Sequence, residues 1–224
     1  LLAIAVTFVT FALAVIYSPT SGSSSLEGNL RPVYVALPLA LYAIYLFTQF
    51  YDTIVAPSRA SPPGDVLRAW ALGIGSLLFI LVSVELVVEA VTVVIERYDV
   101  EEFFAGAIIL AAVTSLPDLI MSVSASRAHR PDTSLANVMG SNTFDLLVVI
   151  PVGVLLTGVV VINFTLAVPM FAILTLITIV LLFMLLIGLS ISRLEAYLLI
   201  GLYIAFVLLV LGEITGVVDL IPTV

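Results

Sequence analysis

The sequence has no cysteine, which excludes disulfides, thiolate metal sites and cysteine nucleophiles and leaves the redox compartment unspecified. It has no lysine either: all seven basic residues are Arg. A single histidine, His129, argues against an imidazole metal site or a His-based triad. Charge is scarce at 10% of residues, and fifteen acidic side chains leave the net charge at -8. An acidic chain of this kind argues against nucleic acid as a partner.

Apolar residues fill the space left by charge. Hydrophobic types make up 62% of the 224 residues, which predicts an all-α polytopic membrane protein in contact with a lipid bilayer. A helix needs about 20 apolar residues to cross the hydrocarbon layer. On that measure seven crossings are expected, near 1–17, 33–51, 69–95, 103–127, 137–160, 166–188 and 194–213. The link SPTSGSSSLEGNLRP at 18–32 reads as flexible, and APSRASPPGD at 56–65 as stiffer. Arg59, Arg68, Arg127, Arg130 and Arg193 fall in links on the side of the N-terminus, against Arg31 and Arg97 on the other. That bias predicts a cytoplasmic first side and an extracellular C-terminus in the cell membrane. The chain opens on Leu1 in an already apolar run without signal-peptide features, which reads as a truncated first helix.

Two of the expected crossings carry a carboxylate near their middle, Asp118 and Asp145. An ionised Asp at mid-membrane costs roughly 2.5 to 3.5 kcal/mol on insertion scales, so each is a functional candidate. On a helix, Ala111, Ser115, Asp118 and Ser122 share one face with Thr114 beside them, and Asn137, Ser141 and Asp145 recur every four residues. Pro117 has no N–H, so the carbonyl of Val113 and its neighbourhood are expected to lose helical partners. Gly140 and Ser141 are expected to loosen the start of the second segment. Carboxylates, hydroxyls and a freed carbonyl near Ala111 to Val113 are the ligands a hard cation takes, which points to an oxygen-lined cation site.

TSLPD at 114–118 followed by GSNTFD at 140–145 resembles the alpha repeat of the sodium/calcium exchanger superfamily. LVSVELVVEAVTVVIERYDVEEFFAGAII upstream is similar to the helix and link that precede such a repeat. Asp118 and Asp145, at the positions where the two repeats differ, make the likeness closer to the second repeat. The resemblance implies half of an inverted-repeat exchanger fold. Residues 1–55 would be the last two helices of a preceding half, 56–68 a cytoplasmic linker, and 69–224 a five-helix repeat. It further implies a secondary antiporter, not an enzyme, with no cofactor and with Na+ and Ca2+ as substrates. Asp118, Asp145, Thr114, Ser115, Ser141 and the Ala111 carbonyl would supply half of a shared midplane site. The missing first repeat is expected N-terminal in the same chain, with the long third helix sliding to give alternating access.

Other polar groups have plainer readings. Glu85 and Glu89 read as a helix-end pair reaching water, with a vestibule role as the alternative. Glu96, Asp99, Glu101 and Glu102 read as a solvated turn, with a cation-concentrating rim as the alternative. Tyr34, Tyr42, Tyr45, Tyr51 and Trp70 read as interfacial anchors. His129 reads as solvated, with pH sensing as the alternative. Two further functions stay open: a proton-coupled exchanger, because a carboxylate in an apolar site takes up protons readily, and an intramembrane aspartyl protease using the Asp pair.

Overall fold

The computed structural model of the chain describes residues 1–20, 26–55, 63–98, 109–188 and 191–214. In chain order its elements are α1 (Leu2–Tyr17), β1 (Glu27–Leu30), α2 (Ala36–Val55), α3 (Pro63–Tyr98), α4 (Ala111–Thr114), α5 (Leu116–Arg127) and α6 (Pro131–Phe144). A π-helical turn (Asp145–Val149) leads into α7 (Ile150–Thr157), followed by β2 (Val160–Asn163), α8 (Phe164–Gly188) and α9 (Arg193–Ile214). The protein is an all-α membrane protein, and among the described residues four helices are long and apolar enough to cross a bilayer. They are Val66–Arg97, Pro131–Thr157, Phe164–Leu186 and Arg193–Gly212, while Leu2–Tyr17 and Ala36–Tyr51 are shorter apolar helices. Of the crossing expected over 103–127, residues 103–108 lie outside the described residues, as do Asp99, Glu101, Glu102 and most of the 56–65 link.

Two compact units make up the chain, Leu1–Phe47 with Leu135–Val224, and Thr48–Ser134. In the first, α1 is the element the others gather on. Phe8 packs against Phe164 with ring centroids 5.4 Å apart and the rings tilted by 35°, and Phe11 meets Phe171 edge-on at 5.4 Å. Ala14, Leu30, Val35 and Val154 form a buried cluster with Val160 and Ile162 packed against it. Asn163 starts α8, its Oδ1 accepting from the amides of Thr165 at 3.0 Å and Leu166 at 3.3 Å, so two orphan donors of the first turn are satisfied. Ser192 and Glu195 exchange side-chain and backbone bonds at the start of α9, a reciprocal capping box.

Residues 26–32 of the link at 18–32 depart from the flexible reading, while 21–25 lie outside the described residues. Residues 27–30 form β1, antiparallel to β2, with Glu27 opposite Asn163 and Leu30 opposite Val160. Local composition argued for flexibility, but a strand takes its hydrogen bonds from its partner, and Val160, Val161 and Ile162 are β-branched residues that favour one. Ser18 completes the fold-back, its carbonyl accepting from the Asn29 amide at 2.8 Å and its hydroxyl bonding the Tyr34 hydroxyl at 2.8 Å. The pairing places residues 27–30 and 160–163 side by side at one end of this unit.

In the second unit, α3 runs for 36 residues, reaching back to Pro63 at its first turn, where the missing N–H costs nothing. At 1.5 Å per residue it is about 54 Å long, more than a hydrocarbon layer needs without tilt. Helix α5 closes in a Schellman turn: the amide of His129 donates to Ser126 O at 3.1 Å and that of Arg130 to Ala125 O at 2.9 Å. His129 holds φ at +57°, the left-handed conformation this turn requires.

Candidate cation site

The first motif segment lies in the second unit. Helix α4 ends at Thr114, and Ser115 interrupts the helix for one residue before α5 begins with Pro117 in its first turn. The interruption is slight. Ser115 N–H still reaches Ala111 O at 3.1 Å and Leu119 N–H reaches Ser115 O at 3.0 Å. Pro117 offers no N–H to Val113, as its ring chemistry dictates. The Ala111 carbonyl, expected near the freed group, instead accepts from the Ser115 hydroxyl at 2.8 Å and the Thr114 hydroxyl at 3.2 Å as well. Thr114 Oγ1 also lies 3.0 Å from Leu110 O, and Ser115 Oγ 3.2 Å from Ala112 O.

This donor pattern has a chemical consequence. Each hydroxyl has one proton and two acceptor lone pairs, so a hydroxyl that spends its proton on the helix still presents oxygen lone pairs outward. Asp118, half-buried, stands three residues beyond Ser115, and buried Ser122 is one turn further on. One short segment therefore gathers two hydroxyl oxygens and a carboxylate.

The second motif segment lies in the first unit. Helix α6 runs unbroken through Gly140 and Ser141, contrary to the expectation that these two would loosen it. A glycine costs a helix only about 1 kcal/mol and removes no hydrogen bond. The irregularity falls instead at Asp145, the first residue of the π-helical turn, where Ile150 N–H donates to Asp145 O five residues back. Its cause is Pro151, buried and without an N–H, just past the turn. Ser141 Oγ donates to Val138 O at 3.3 Å, leaving its lone pairs on the same helical stripe as Asp145. Tyr42 of α2 meets Phe144 edge-on with centroids 5.9 Å apart.

Among the described residues no three acidic or histidine side chains cluster closely enough to hold a metal ion. Each motif segment contributes one carboxylate, with hydroxyls about one helical turn away. Two participants were missed from sequence. Pro151 was legible as a proline six residues after Asp145 in an apolar run, and Thr7, whose hydroxyl lies 3.2 Å from the Leu146 carbonyl in the π-helical turn, as one of two threonines in the run 1–17.

Residues 68–212, which contain both segments and α3 to α9 nearly entire, match the sodium/calcium exchanger protein family. The chain belongs to that family. The match extends past the motif region to most of α9. Among its relatives, human sodium/potassium/calcium exchanger 1 is 34% identical over 142 residues, 60% of this chain and 13% of that protein. The putative antiporter CaxA of Alkalimonas amylolytica is 30% identical over 95 residues, 42% of this chain and 30% of that protein. The inner membrane protein YrbG of Escherichia coli K12 is 26% identical over 159 residues, 65% of this chain and 48% of that protein. The chain thus spans about half or less of the length of these relatives. No solved structure matches it.

Proposed function

We propose that the protein is a secondary antiporter that exchanges sodium for calcium by alternating access. The observation that carries this reading is the placement of both membrane aspartates at helix irregularities within the family's match: Asp118 follows the Ser115 interruption, and Asp145 opens a π-helical turn. Irregular backbone at membrane depth belongs where it lines a cavity, and a carboxylate there invites a cation. Asp118, Asp145, Thr114, Ser115 and Ser141 supply ligand oxygens, and the Ala111 carbonyl joins them when the hydroxyl protons turn from it. Calcium takes six to eight oxygens, so a second repeat, N-terminal in the same full-length chain, completes the shell. Sodium uses overlapping ligands, and competition for the same carboxylates couples the two gradients. The C-terminus lies outside the cell on this reading.

A second reading adds potassium to the cargo, because the human relatives carry potassium in their names. Calcium-45 uptake into vesicles holding the full-length protein, driven by an outward sodium gradient, tests both. Uptake should follow the sodium gradient, survive collapse of the proton gradient, and vanish in Asp118→Asn. Dependence on internal potassium would select the second reading. Uptake indifferent to sodium and to Asp118→Asn would refute both.

A further inference from the structure

We infer that Thr7 is a positioning residue for Asp145, acting through the carbonyl of Leu146; this rests on the reading of Asp145 as a cation ligand. In an α-helix the Ile150 amide would serve the Leu146 carbonyl, but it donates to Asp145 O instead. In the wider register of a π-turn, Leu146 would look to the amide of residue 151, which is proline. Leu146 O is therefore stranded from a helical donor in either register.

A carbonyl in that position needs a donor from elsewhere, since water is scarce among apolar neighbours. Leu147 is 2% exposed and Pro151 is fully buried. Thr7 Oγ1 of α1 lies 3.2 Å from Leu146 O, and its side chain is 1% exposed. The same hydroxyl is 3.0 Å from Ala3 O. Ala3 O also has the Thr7 amide as its helical donor, whereas Leu146 has lost its own. The single hydroxyl proton thus matters more to Leu146. By holding that carbonyl, Thr7 fixes the peptide next to Asp145 and with it the turn that aims the carboxylate.

Thr10 provides a built-in control. It is equally buried on the same helix, and its hydroxyl donates only within α1, to Val6 O at 2.8 Å. Calcium-45 uptake by the full-length protein in vesicles should show a half-saturating calcium concentration raised about three- to tenfold by Thr7→Val, the effect of one interhelical hydrogen bond. Thr7→Ser should restore the wild-type value, and Thr10→Val should leave it unchanged. Pro151→Ala, which returns an amide to the turn, should relieve Thr7→Val when the two are combined. Should Thr7→Val alone fail to insert, the double variant against Pro151→Ala alone gives the same comparison, and an unchanged half-saturation is then expected. Asp145→Asn separates the two levels. If it raises the half-saturating calcium concentration or abolishes uptake while Thr7→Val and Thr10→Val behave alike, the positioning role is overturned and the exchanger reading stands. If Asp145→Asn leaves uptake intact, the ligand reading itself fails, and this inference with it.

Discussion

Gly28 of β1 lies directly against the backbone of Val15 in α1. A Cβ at position 28 would sit 2.6 Å from the Ala14 carbonyl carbon and closer still to Val15. The contact lets the strand fold flat on the helix and reach β2, so an absent side chain joins α1 to the connection between α7 and α8. Backbone cannot swing aside as a flexible side chain would. Gly28→Ala should therefore destabilise by about 2 kcal/mol or more, above the usual range for a single added methyl group at a tolerant site. Thermal unfolding in detergent, followed by loss of the monodisperse peak, checks it; an unchanged midpoint would mean β1 lifts from α1 at little cost.

His129 offers the opposite opportunity. Its φ of +57° serves the Schellman turn after α5, and its side chain is exposed. Glycine reaches this conformation without the steric cost that an L side chain meets. His129→Gly should raise stability by about 0.5 to 1 kcal/mol, net of the extra freedom glycine gives the unfolded chain. The same unfolding measurement decides, and a lowered midpoint would show that the imidazole contributes more than its backbone position.

Asn163 sits where β2 becomes α8, and its side chain satisfies two amides of the first helical turn. Asn163→Ala should cost about 1 kcal/mol, whereas Asn163→Asp should cost little, because the carboxylate keeps the acceptor and favours the helix N-terminus. Equal losses in the two variants would contradict the capping role.

These cases mark what the sequence makes legible. Apolar runs revealed α3, α8 and α9, because a crossing helix satisfies its own backbone and needs only length and hydropathy. The order TSLPD then GSNTFD revealed the family and the two aspartates. Features that depend on a distant partner stayed hidden. Residues 27–30 read as flexible because their strand partner lies at 160–163. His129 takes a conformation usually assigned to glycine, so nothing local marked the turn. Around Asp145 the residues locally suited to loosen a helix are Gly140 and Ser141, but a helix is rewired where a donor is missing, and that residue is Pro151.

On the reading of Asp145 as a ligand shared by sodium and calcium, charge at position 145 should set the balance between the two ions. Asp145→Asn keeps an oxygen ligand of nearly the same shape and removes one negative charge. Coulomb attraction scales with the charge on the ion, so the divalent cation loses about twice what the monovalent one does at equal distance. Calcium affinity, which depends on the number of charged ligands, should fall about tenfold or more, and sodium affinity by less. Calcium uptake measured over a range of competing sodium should then show two changes in the variant: a higher half-saturating calcium concentration, and inhibition at a lower ratio of sodium to calcium. If Ser141 supplies an uncharged ligand from the same stripe, Ser141→Ala should weaken both ions alike, leaving that ratio near the wild-type value. A ratio unmoved by Asp145→Asn would place its carboxylate outside the ions' coordination shell and leave Asp118 as the charge that distinguishes them.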